Sequence, residues 1–166
     1  LEAATSRTAR RLIYDRLRSE GSVLLPLLHQ QLAANPPWYF ARNLLALWRD
    51  IATPTDGAAN ASPAPESGLG AGHADALRTI AGYQGHAQEQ VRLEALRVLA
   101  LEPLACDAAI SRALRDESAR VVSTAIDAII TRLGAAPQTT LSREVARDVA
   151  FRLMTLVDDP QSEEST

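Results

Sequence analysis

The sequence predicts an all-α fold of about eight helices, arranged as an α-solenoid of antiparallel helix pairs. Three observations carry that prediction. Apolar residues recur at helical spacing, and nothing alternates with the period of a strand. Gly21, Pro36-Pro37, Pro103 and Gly134 stop the helical pattern at short intervals. One apolar pattern returns at a spacing near 30 residues, a unit that two short helices fill.

Composition agrees with close-packed helices. The 166 residues suffice for one domain with a real core. They are 46% hydrophobic but only 4% aromatic, and the dominant residues, Ala and Leu, are strong helix formers. A net charge of −3 and an isoelectric point near 5.6 argue against a generic polyanion binder. Every basic side chain is arginine, and with the abundant Ala and Gly this points to a GC-rich bacterial genome. The single cysteine, Cys106, excludes an intramolecular disulfide and fits a reducing compartment. No apolar run approaches the roughly 18 residues of a membrane span, and no secretory signal opens the chain, so the expected location is cytoplasmic. A first residue of Leu rather than Met reads as a fragment or regulatory domain of a larger protein.

The elements follow in order. Residues 5–20 carry a helical pattern that Gly21 closes, and residues 22–34 form the next helix up to Pro36-Pro37. Pro37 suits the first turn of a third helix, where a missing N–H costs nothing. On that helix Phe40, Leu44, Leu47, Trp48 and Ile51 share one face, with Leu45 beside it, so Phe40 and Trp48 are expected in the core. Residues 53–72 are Gly, Pro, Ala and Ser with almost nothing to bury and read as a flexible insertion, by default an inert one. Helices are then expected over 73–83, across the 91–99 window, over 105–115, across the 121–129 window, and over 141–157. Residues 158–166 read as an acidic tail.

Register ties these elements together. Residues 91–99 and 121–129, 30 apart, share apolar residues at the first, fifth, sixth, eighth and ninth places. Phe40–Trp48, 51 residues before the 91–99 window, repeats the pattern once the insertion is allowed for. Residues 9–17, 31 earlier again, follow it less closely. The division is therefore repeats over 1–52, the insertion, and repeats over 73–157, with the first and last units partial.

Some residues carry a family resemblance. Val91-Arg92-x-x-Ala95-Leu96-x-x-Leu99 resembles the second helix of a HEAT repeat, and is similar to the short HEAT-like repeats of bacterial proteins, including the phycobilin-lyase type. Arg115-Asp116-Glu117-Ser118-Ala119-Arg120-Val121 resembles the turn between the two helices of such a unit, and Pro37-Trp38-Tyr39-x-x-Arg42-Asn43 a bacterial variant of it. Two departures are visible: Val122 stands where the pattern carries arginine, and no Asp-Pro turn precedes Val91. The resemblance implies a right-handed stack whose second helices line one surface. It implies exposed end faces through which the chain self-associates, and no cofactor.

Catalytic and metal-binding patterns are missing from the sequence. His29, His73 and His86 lie in separate segments at no ligand spacing and read as surface or loop residues. No glycine-rich loop follows a strand, so nucleotide fingerprints are absent. Cys106 reads as a small buried thiol rather than a nucleophile. The chain is therefore expected to be non-catalytic.

What remains is a surface. In repeat register the outward column of the second helices holds Trp38, Tyr39, Arg42 and Asn43, then Glu94 and Arg97, then Arg120 and Asp127. Tyr, Trp and Arg are the residues that concentrate binding energy at protein interfaces. The expected role is a scaffold docking a protein partner there. Two alternatives follow from the resemblance. One is a nucleic-acid-binding HEAT-like domain of the DNA glycosylase type, disfavoured because Glu94 and Asp127 interrupt a stripe that phosphates would want single-signed. The other is a chromophore-lyase-like subunit, for which no catalytic group is in view.

Overall fold

The computed structural model describes residues 12, 14–17, 20–53, 70–102, 105–135 and 142–157. Among these residues every regular element is helical and no strand occurs. Residues 12 and 14–17 are helical, and a 3-10 turn, Gly21–Leu24, leads into α1, Leu25–Ala33. Then come α2 (Trp38–Ala52), α3 (Gly70–Gly82) extended by a 3-10 turn at Tyr83–Gly85, and α4 (Glu89–Leu99). The chain continues through α5 (Cys106–Ala113), α6 (Ala119–Ala135) and α7 (Arg143–Val157).

Local chemistry sets the boundaries. Gly21 turns the chain at φ 65°, a conformation that a side chain disfavours. Asn35 ends α1 at φ 51°, which short polar side chains tolerate best after glycine, and its N–H bonds the Leu32 carbonyl at 3.0 Å. Pro36-Pro37 then forbids continuation. The Pro37 carbonyl accepts from the N–H groups of Phe40 (2.9 Å) and Ala41 (3.0 Å), which starts α2. Ser118 and Ser142 accept from the N–H groups of Val121 and Val145, capping α6 and α7.

The helices form two rows. In the first row α1 touches α3, the 3-10 turn after α3 touches α5, and α5 touches α7. In the second row α2 touches α4 and α4 touches α6, the α2–α4 contact being the most extensive among the described helices. Within pairs, α1 packs on α2, α3 on α4 and α5 on α6. The core lies between the rows: Leu44, Leu45, Leu47 and Trp48 from α2, Val91, Leu96, Val98 and Leu99 from α4, and Val121, Ala125 and Ile129 from α6. Ile80 and Ile110 close it from the first row. Burial of each large side chain is worth about 1.5–3 kcal/mol. Fully buried Ala41, Ala95 and Ala125 leave room for their bulkier neighbours.

Polar side chains tie successive units. Arg92, 7% exposed, donates from Nε and Nη2 to the two oxygens of Asp116 at 2.8 and 2.9 Å. Its Nη1 donates to the carbonyls of His86 (2.9 Å) and Ala87 (3.2 Å). Tyr83 donates to the Leu32 carbonyl at 2.7 Å, and Gln84 to that of Ala109 at 3.0 Å. Val122, at the position equivalent to Arg92, is buried and offers no such tie. The α5–α7 junction is held instead by Asp148, which accepts from Ser111 and, at 2.7 and 2.9 Å, from Arg115.

Two expectations need correction. Phe40 is 40% exposed while Trp48, on the same face, is 2% exposed. Helical phase gives the side a residue faces, not whether a neighbouring helix extends far enough to cover it, and Phe40 sits in the first turn of α2. Helix α3 begins at Gly70, so residues 70–72 of the stretch read as an insertion are helical. Residues 54–69, the acidic tail 158–166, and most of the first predicted helix lie outside the described residues.

Candidate interaction surface

The outward side of the second row begins at the first turn of α2. Trp38 is 42% exposed and Tyr39 56% exposed, their rings edge to face with centroids 6.0 Å apart. Phe40 is exposed too, though about 200° around the helix from Trp38, and Arg42 and Asn43 lie one turn further on. The Arg42 guanidinium donates to Asn43 Oδ1 at 3.0 and 3.3 Å, its only hydrogen bonds among the described residues. Trp38, Tyr39, Arg42 and Asn43 thus form one aromatic corner with a cation beside it, while Phe40, two residues from both Trp38 and Arg42, points to another side of the helix.

Further along, polar groups form a chain across the row. Tyr14 donates to Asp50 Oδ2 at 2.8 Å. Asp50 Oδ1 accepts from Arg49 at 2.9 and 3.1 Å, and Arg49 Nη1 donates to Glu94 Oε2 at 2.7 Å. The other Glu94 oxygen accepts from Arg97 Nη1 at 2.8 Å. Burial acts to lower the Arg49 pKa, but the Asp50 hydrogen bond and the charges of Glu94 and Asp50 outweigh it, so the pKa is raised. Beyond this chain, Arg49, Arg97, Leu101, Thr124, Asp127 and Arg132 line an open groove of about 560 Å³ between α2, α4 and α6.

The eight residues proposed from sequence therefore fall into three places. Trp38, Tyr39, Arg42 and Asn43 make the corner. Glu94, Arg97 and Asp127 lie along or beside the groove, with Glu94 and Arg97 bound into the polar chain. Arg120 stands at the start of α6, 3.6 Å from Glu89. Corner and groove are separated by the seven residues from Arg42 to Arg49, about 10 Å along a helix. Arg49, Asp50, Tyr14 and Arg132 were not singled out from sequence. Arg49 and Asp50 directly follow the nine-residue window that sets the register, and that position was their only signal.

The titratable groups elsewhere are occupied with packing. His29 and His73, expected at the surface or in loops, are half-buried on helices α1 and α3. His29 Nε2 lies 3.1 Å from Thr79 Oγ1, and His73 Nε2 lies 3.0 Å from Glu102. They flank a cavity of about 220 Å³ floored by Trp48 and walled by Leu25, Pro26 and Ala76. Burial pushes the Cys106 thiol pKa up, against the opposing pull of Arg132. The Ser111 hydrogen bond and then Arg115 hold the Asp148 carboxyl below its ordinary range. Among the described residues no group of three or more His, Cys, Asp or Glu is placed to hold a metal, and no helix is long and apolar enough to cross a membrane. No family model, curated protein or solved structure matches the chain.

Proposed function

We propose that the chain is a HEAT-like, right-handed α-solenoid acting as a non-catalytic scaffold in a bacterial cytoplasm, and that it docks a protein partner on the row formed by α2, α4 and α6. The observation that carries this reading is the aromatic corner. Two exposed rings in edge-to-face contact, on the side of the helix that carries an arginine paired, among the described residues, only with its neighbouring amide, give both apolar area and an uncommitted cation. Truncating such a residue within an interface costs about 2 kcal/mol or more, roughly thirtyfold in affinity. The helices already hold the corner in place, so docking spends little on ordering the scaffold.

The polar chain narrows the surface. Glu94 and Arg97 already satisfy each other, and Arg49 is held by two acids, so these charges set shape and register rather than anchor a partner. The same acids disfavour duplex nucleic acid, which wants a single-signed track. Tight, salt-sensitive DNA binding at about 50 mM salt would reverse that preference.

The test places a photo-crosslinking phenylalanine analogue at Tyr39 and, as a control on the first row, at Gln31. The reading expects one partner captured at position 39 and not at 31. It also expects the Trp38→Ala, Arg42→Ala double variant to lose capture while its circular dichroism stays helical. Equal capture at both positions, or capture undiminished in the double variant, would overturn it. Loss of helicity in that variant would make the corner structural instead.

A further inference from the structure

The cavity of about 220 Å³ lies where α1, α2 and α3 meet, and no residue of the docking corner lines it. Leu25 and Pro26 of α1, Trp48 of α2 and Ala76 of α3 make its floor and walls apolar. Among the described residues its only polar side chains are His29 and His73, with no carboxylate and no arginine in the lining. The partners of the two rings fix where a neutral imidazole keeps its single proton. Thr79 Oγ1 donates to the Asp75 carbonyl at 3.1 Å, so it accepts from His29 Nε2. Glu102, as a carboxylate, accepts from His73 Nε2 at 3.0 Å. Both rings therefore carry the proton on Nε2. Each is left with Nδ1 as an acceptor that has no partner among the described residues.

We propose that this cavity binds a small neutral aromatic molecule bearing an N–H or O–H donor, its ring on Trp48 and its donor on an imidazole Nδ1. Apolar walls with a few polar groups are the general form of a small-molecule site. Size sets the ring system: a dry apolar cavity of about 150 Å³ accepts benzene, so about 220 Å³ takes a fused bicycle. Charge sets the rest. The nearest ionised groups behind the rings are Glu102 at His73 and, 3.6 Å from His29, Asp75, which also pairs with Arg78 at 3.0 Å. An anion would approach those acids with no cation in the lining, and a cation would be desolvated with no carboxylate to receive it. A neutral donor meets neither cost and satisfies an acceptor that the chain leaves open.

The experiment is an NMR titration of the nitrogen-15-labelled full chain at about pH 8, where imidazole is neutral. The probes are indole and its isostere benzofuran, which has no donor. The chain has two tryptophans, and Trp38→Ala tells their ring N–H signals apart. Indole should move the Trp48 signal to saturation while the Trp38 signal stays in place. Benzofuran fills the same space but should bind roughly fivefold more weakly, the worth of one hydrogen bond. The double variant His29→Gln, His73→Gln keeps amide donors for Thr79 and Glu102 but loses both Nδ1 acceptors. It should bind indole no better than it binds benzofuran, and circular dichroism checks its fold. A Trp48 signal that does not move up to the solubility limit of indole overturns the proposal. So does equal affinity of the wild type for the two probes, or a double variant that binds indole as the wild type does. The two wild-type titrations decide the matter even where the double variant loses helicity. The Trp38→Ala, Arg42→Ala variant should bind indole as the wild type does, so the cavity and the docking corner fail or survive separately.

Discussion

Replacing Asp116 with alanine removes both carboxylate acceptors of Arg92 and leaves the guanidinium in place. The Arg92 side chain is 8% exposed, so water cannot readily replace the lost partner. Breaking one side of a buried ion pair costs about 3–5 kcal/mol, because the remaining charge stays desolvated. Here the lower end applies. The carbonyls of His86 and Ala87 still accept from Nη1, and Glu117, itself largely exposed, lies 3.3 Å from Nη2. About 3 kcal/mol is a large share of the roughly 5–15 kcal/mol that a domain has in total. With a urea slope of about 2 kcal/mol/M, the unfolding midpoint of Asp116→Ala should fall by about 1.5 M. The companion double variant, Arg92→Met with Asp116→Leu, removes both charges and should recover most of the loss. Urea titration followed by circular dichroism reads all three proteins. A single variant within about 0.5 kcal/mol of wild type would show that the pair is solvated and is not what joins α4 to the turn before α6.

Three further outcomes follow from the same geometry. Trp48→Ala should lose about 3–5 kcal/mol, since the ring is 2% exposed and its removal enlarges the cavity that it floors; a loss under 1 kcal/mol, read by urea titration, would contradict that packing. The Asp148 carboxyl is depressed in the folded chain, so the unfolded chain binds its proton first as pH falls. Its stabilisation is full above an unfolded pKa of about 3.9 and is lost as pH falls through the folded value, and Asp148→Asn should flatten the acid limb of a stability–pH profile. Cys106, buried and with its thiol pKa raised, should resist iodoacetamide at neutral pH until denaturant exposes it; rapid native labelling would show that α5 opens.

Helix class and helix positions were legible because both rest on phase and on punctuation. Pro36-Pro37 and Asn35 fix where α1 ends and α2 begins through backbone geometry alone, and Leu44, Leu47 and Trp48 fix which side of α2 is buried. What phase omits is how far one helix is slid along the next. Register sets Asn43 level with Glu94, yet the partner that Glu94 takes is Arg49, six residues further along α2. The same omission put Phe40 in the core. Both errors concern displacement along the helix axes, which a repeat of apolar positions does not record.

That displacement decides which of the surface residues remain available. Read as a column, Arg42, Glu94, Arg97, Arg120 and Asp127 make a polar stripe of mixed sign. In space Glu94 lies between Arg49 and Arg97 and, together with Asp50, balances their charge, while Arg120 faces Glu89. The exposed Arg120–Glu89 pair contributes little to stability, about 0–1 kcal/mol, but all these pairs take up charges that a partner would otherwise use. Arg42 is the exception: its hydrogen bonds, among the described residues, go to a neutral amide that a carboxylate can displace, and it lies on the side of the helix that carries the exposed Trp38 and Tyr39 rings. Recognition therefore concentrates at the start of α2 rather than along the whole row. The partner this corner fits presents an acidic group next to an apolar one, spaced to meet Arg42 and the Trp38–Tyr39 pair together.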